Sequence, residues 1–132
     1  MTPPDALAGQ RILVLEDDFY LAREQKLILE QAGAVVIGPF GTAVRVDELA
    51  SLGAVDSAIV DINLGRGPTF EFARWLQARG VPFVFVTGYD AATIPPDLSH
   101  IDRLEKPIRA TELVQALLHL TRPAADREND VP

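Results

Sequence analysis

The sequence contains no cysteine, which excludes disulfide staples and thiolate zinc sites and fits a reducing compartment. No apolar stretch approaches the roughly 20 residues of a membrane span. The opening MTPPDALAGQ has neither a basic patch nor an apolar segment, so it is not a signal peptide. Positive charge is scarce: 12 Lys and Arg face 19 Asp and Glu, for a net charge of −7. That deficit argues against direct nucleic-acid binding, which needs cations to replace counterions. There is no internal repeat and no low-complexity tract. What remains is 132 residues, 48% hydrophobic. This suits one domain, and at that size folding buries roughly two-thirds of the unfolded surface without a staple. The expectation is a cytoplasmic protein with protein partners or a bound cation, and no membrane insertion.

Short apolar runs alternate with amphipathic ones. ILVL (12–15), AVVIG (34–38), SAIVD (57–61) and FVFV (83–86) read as strands, with a weaker one around Ile101–Leu104. Consecutive apolar positions mark strands covered on both faces, as in a parallel sheet. Helical spacing appears in Phe19–Ala32, Val44–Leu52, Phe70–Arg79 and Thr111–Leu120, with Gly33 and Gly80 as stops. In YDAATIPPDLSH, Pro95 and Pro96 restrict a fourth helix to about one or two turns. The alternation predicts a doubly wound α/β fold. It is flavodoxin-like, with a five-stranded parallel sheet in the order 2-1-3-4-5 and a shortened fourth helix. Residues 1–9 read as N-terminal coil, 10–121 as the domain and 122–132 as a flexible tail.

The polar residues at the strand ends carry the chemistry. Glu16 and Asp17 end the first strand, Asp61 the third and Thr87 the fourth, and Lys106 follows the fifth. In this topology all of them open on one sheet edge. Two unit charges about 4 Å apart repel by roughly 4 kcal/mol at an effective dielectric near 20, so three carboxylates need a cation or proton uptake. Oxygen ligands without His or Cys point to Mg²⁺, with Mn²⁺ as a substitute. Lys106 and Thr87 suit phosphate oxygens, and a carboxylate in such surroundings has what a phosphoryl acceptor needs. Asp18 reads as a cap of the first helix. His100 and His119 lack a ligand pattern, and Phe72 and Trp75 read as core and core-edge packing.

LVLEDD, VDIN, FVTG and EKP, in this order, resemble the receiver domain of two-component response regulators over residues 10–121. The Phe-x-Thr-Gly run (Phe85, Thr87, Gly88) with DINLG resembles a variant group of bacterial single-domain receivers. The resemblance makes Asp61 the phosphoacceptor, Asp17 a direct Mg²⁺ ligand and Glu16 a ligand through metal-bound water. Asn63 would bind the metal through its backbone carbonyl. Thr87 and Lys106 would grip the phosphoryl oxygens, and Pro107 would follow through a cis peptide. Gly88, Tyr89 and Arg103 are switch-associated positions. Tyr20 and Leu27 either form an apolar rim on the side where receivers meet the histidine-bearing helices of a kinase or pack against the neighbouring fifth helix. Three departures stand out. The run after Asp61 has Leu64, Gly65 and Thr69 where receivers carry Met, Pro and Gly. Arg103 replaces the usual Tyr or Phe. The IPP run shortens the fourth helix, on which the common dimer face is built.

The implied function is a stand-alone phosphoacceptor rather than an enzyme. A sensor histidine kinase or histidine phosphotransfer protein would donate to Asp61, and output would be binding to an unknown downstream protein or draining of phosphate. One alternative is an interaction module that keeps the fold without phosphorylation, although such receivers typically lose the acceptor, an acidic partner or the lysine. The other is a Mg²⁺-dependent hydrolase with an aspartate nucleophile. Those enzymes usually carry a carboxylate where this chain has Asn63.

Overall fold

The unbroken apolar runs form the middle of a sheet covered on both faces. The computed structural model describes residues 4–41, 48, 50–62, 70–88 and 94–121. Its strands are β1 (Arg11–Leu15), β2 (Val35–Phe40), β3 (Ser57–Asp61), β4 (Phe83–Thr87) and β5 (Arg103–Glu105). They pair in parallel in the order 2-1-3-4-5, the predicted flavodoxin-like topology. Among the described residues three α-helices accompany them: α1 (Phe19–Gln31), α2 (Glu71–Ala78) and α3 (Ala110–Thr121). Alternate strand residues point to opposite faces. Leu13, Leu15, Ala58, Val60, Phe83 and Phe85 pack against Phe72, Ala73 and Leu76 of α2. Ile12, Val14, Ile59, Val84 and Val86 pack against Leu29 of α1 and Leu113, Val114 and Leu117 of α3.

Local chemistry sets the helix ends. Asp18 caps α1 as expected, its Oδ1 accepting the Leu21 N–H at 3.0 Å. Gly33, at φ +93, turns the chain out of α1, and a Cβ there would meet the Ala8 Cα at 3.1 Å. The buried stripe of α1 runs through Gln25, Leu29 and Ala32, while Leu21 and Ile28 are half-buried. Trp75 packs at the core edge as expected, with the Arg79 guanidinium 4.5 Å above its ring.

Two features differ from the sequence reading, the burial of Leu7 and the course of β2, while the fourth helical segment is short as expected. Leu7, in the segment read as coil, is fully buried, and its N–H donates to the Ala32 carbonyl at 2.7 Å. After β4, the described part of the fourth helical segment is a 3-10 turn, Pro96–Leu98, and residues 89–93 lie outside the described residues. Arg74 reaches this turn from α2 and pairs with Asp97 at 3.2 Å. Of the expected second helix, Glu48 and the 3-10 turn Ala50–Leu52 are described. β2 extends two residues further than predicted and carries a bulge: Leu13 faces Ile37, whereas Leu15 faces Phe40. Gly38 makes this bulge possible. It sits at φ +102, where a Cβ would lie 2.9 Å from the Phe40 nitrogen and 3.0 Å from the Val14 oxygen. No helix among the described residues is long and apolar enough to cross a membrane.

Candidate functional site

The parallel topology brings the carboxyl ends of β1, β3, β4 and β5 to one edge, and the predicted polar residues meet there. Asp61 ends β3 with 3% of its surface exposed, and Glu16, just after β1, is equally buried. Asp17 is exposed. Carboxylate oxygens of Glu16, Asp17 and Asp61 all lie within 4.8 Å of one another. The backbone fixes the pair after β1. The Glu16 N–H donates to the Phe40 carbonyl at 2.9 Å, just beyond the β2 bulge. The Asp18 N–H donates to Glu16 Oε2 at 3.2 Å. A Cβ on Gly41 would stand 3.4 Å from the Asp17 Cβ, so β2 also bounds Asp17.

Lys106 supplies the positive charge. Its Nζ lies 3.3 Å from Asp61 Oδ2 and 3.7 Å from Glu16 Oε1. Its N–H donates to the Thr87 carbonyl at 2.8 Å, which locks the lysine to the end of β4. The Thr87 side chain is fully buried. Thr87 Oγ1 and Glu16 Oε1 are buried without a hydrogen-bond partner among the described residues, and buried groups of this kind normally have one. Burial, followed by the adjoining Asp61 carboxylate, pushes the Glu16 carboxyl up to about 8. In the metal-free protein Glu16 therefore holds a proton at neutral pH, relieving repulsion that Lys106 does not offset. Oxygen-only donors, acidic crowding and orphaned buried oxygens together fit a hard divalent cation.

Other expected positions divide. The Lys106–Pro107 peptide is cis, as the resemblance implied. Gly88 is exposed, and a Cβ there would meet nothing within 4 Å. Arg103 is exposed at the start of β5, paired in register with Phe85. Tyr20 and Leu27 are 80% and 48% exposed. Asn63 and Tyr89 lie outside the described residues. His100 and His119 line a cavity of about 530 Å³ at the opposite end of the sheet, away from the acids. The β2 bulge, which holds Glu16, escaped the sequence reading. Its signal was the Gly-Pro pair, Gly38 and Pro39, at the end of an apolar run.

No family model and no curated protein sequence matches the chain. Solved structures do. The BeF3-activated conformation of SdrG from Pseudomonas melonis Fr1 is 30% identical with a TM-score of 0.71, covering 87% of this chain and 98% of that one. A response regulator receiver protein from Sinorhizobium medicae WSM419 is 25% identical with a TM-score of 0.70, covering 88% and 99%. The chain belongs to the response regulator receiver family. A further receiver domain shares the fold at 23% identity and a TM-score of 0.69, covering 86% and 98%. It comes from sensor histidine kinase PA1611 of Pseudomonas aeruginosa PAO1 and has a magnesium ion coordinated in its active-site cleft. In the present receiver, the acids at the ends of β1 and β3 and the lysine after β5 share one sheet edge.

Proposed function

We propose that this receiver accepts a phosphoryl group on Asp61 from a sensor histidine kinase or histidine phosphotransfer protein, in a Mg²⁺-dependent reaction. One observation carries the reading: the buried Asp61 carboxylate lies between Lys106 Nζ at 3.3 Å and the oxygens of Glu16 and Asp17. Asp17, Asp61 and the Asn63 carbonyl would hold Mg²⁺, with Glu16 acting through a bound water. Mn²⁺ would substitute. When bound, the cation neutralises charge on the transferred group. The magnesium in the cleft of the Pseudomonas aeruginosa receiver domain supports this choice of metal.

The Asp61 carboxylate attacks phosphorus. A P–O bond forms as the P–N bond of the phosphohistidine breaks, and the leaving imidazole nitrogen keeps the electron pair and is protonated from solvent. Lys106 stabilises the phosphoryl oxygens as a point charge, and the Thr87 hydroxyl, unpartnered in this state, donates to one of them. The main-chain bond between Lys106 and Thr87 couples the ends of β4 and β5, so both respond to the same ligand. Gly88 and Pro107 adjoin these ends, and with Tyr89 and Arg103 as the further switch-associated positions they carry the change outward without an aromatic side chain at position 103. Tyr20 and Leu27 on the outer side of α1 meet the donor. Output is binding to a downstream protein or draining of phosphate from the kinase, in the cytoplasm, with no catalysis beyond formation and loss of the protein's own acyl phosphate.

Incubation with acetyl phosphate and Mg²⁺, read by intact mass, tests the reading. A labile phosphoryl adduct is expected in the wild type and not in Asp61→Asn or in the presence of chelator. A wild type that stays unmodified at every Mg²⁺ concentration would favour the unphosphorylated interaction module. Rapid turnover of assorted phosphate esters would favour the hydrolase.

A further inference from the structure

A second concave surface adjoins the acid cluster on its β2 side. It is a groove of about 390 Å³ between α1 and the end of β2. Phe19, Ala22 and Pro39 provide apolar lining, Arg23 and Lys26 form a basic wall, and Asp17 closes the end toward the acids. Phe19 is 69% exposed and meets the outward Tyr20 edge to face at 5.5 Å. An aromatic pair left in water is apolar surface without a partner in the fold.

The charges specify the occupant. Arg74, Lys106 and Arg109 each pair with a carboxylate. Arg23 and Lys26 pair with none among the described residues, although the chain has a net charge of −7. Two unpaired cations on one wall of an apolar groove favour a ligand with carboxylates beside an apolar anchor. Nucleic acid is disfavoured because two cations on one wall neutralise too few phosphates to hold its backbone. We propose that this groove docks an acidic segment of a partner protein, with an apolar side chain against Phe19 and Pro39 and carboxylates on Arg23 and Lys26.

The position of Asp17 adds a second property. Asp17 lines the groove beside Glu16, so in the metal-free protein its carboxylate repels an acidic segment. A divalent cation bound there removes that repulsion, and docking and cation binding then strengthen each other reciprocally. The inference uses unphosphorylated protein and does not depend on phosphoryl transfer to Asp61.

The test uses a fluorescein-labelled peptide of roughly 14 residues, about four helical turns, with leucines spaced i, i+4 among glutamates. Two controls replace every glutamate by lysine or every leucine by alanine. Fluorescence anisotropy should show saturable binding of the acidic peptide only, weakened by salt and tightened several-fold by Mg²⁺. The double variant R23E/K26E should bind about tenfold or more weakly, and Phe19→Ala should also weaken binding. Circular dichroism and phosphorylation of R23E/K26E by acetyl phosphate report whether that variant is folded with an intact site. Lack of binding by the acidic peptide, equal binding of the lysine peptide, or indifference to R23E/K26E would overturn the proposal. Peptide binding by a wild type that acetyl phosphate fails to modify would leave the docking groove standing and sink the phosphoacceptor reading alone.

Discussion

Lys106 Nζ stands 3.3 Å from Asp61 Oδ2, although the two residues are 45 positions apart and their strands are not neighbours. β4 lies between them, and the lysine spans it because its own N–H is anchored on the Thr87 carbonyl. The pair is thus a product of strand order and side-chain length together.

Replacing this cation should expose the acid crowding. Lys106→Met leaves Glu16, Asp17 and Asp61 without their shared counter-charge. The metal-free protein should lose about 1–2 kcal/mol, less than a fully buried pair because the lysine is partly exposed. Urea denaturation in chelator measures the loss, and Mg²⁺ should recover part of it.

Asp17→Asn should act in the opposite direction. It removes the carboxylate charge beside Asp61, so the metal-free protein should gain about 0.5–1 kcal/mol. The gain in melting temperature that Mg²⁺ gives the wild type should shrink or vanish, which a thermal melt with and without the cation would show.

The Glu16 carboxyl, raised from 4.5 to about 8 by burial and by Asp61, makes metal-free stability depend on pH. Between these values the folded protein holds a proton that the unfolded chain has released, so stability falls as pH rises through the window. The contribution is intact below about 4.5 and fully lost above about 8. Mg²⁺ competes with the same proton, so its affinity should climb over the same window. Melts and Mg²⁺ titrations across pH check both signs, and Glu16→Gln should flatten the two profiles.

Gly38→Ala should damage the site from a distance. At φ +102, with a Cβ position 2.9 Å from the Phe40 nitrogen, the variant must open the bulge that supplies the Phe40 carbonyl to Glu16. A stability loss of about 2 kcal/mol or more is expected by denaturation. Mg²⁺ affinity should fall with it.

The central sheet and the polar edge were readable because parallel strands buried on both faces leave unbroken apolar runs. Their polar ends then stand out as Glu16, Asp17, Asp61 and Thr87. Asp18 was readable as a cap because capping is local. The β2 bulge was not, because Gly38 and Pro39 look like a turn until pairing with β1 shows the chain continuing through Phe40. Leu7 was missed because one apolar residue among MTPPDALAGQ carries no period; its burial depends on the end of α1, far along the chain. Gln25 lies in the buried stripe of α1, a position where hydrophobic pattern alone gives no signal. Arg23 and Lys26 carry no signal of their own in the sequence, because only the approach of Pro39 makes their face one side of a groove.

The most direct measurement locates the phosphoryl group. The protein is treated with acetyl phosphate and Mg²⁺ and then with borohydride, which reduces an aspartyl phosphate to homoserine, and its peptides are mapped by mass. Homoserine at position 61 alone, absent without Mg²⁺, is the expected result. Conversion at Asp17 or Glu16, or no conversion at any carboxylate, would contradict the assignment of Asp61 as the acceptor.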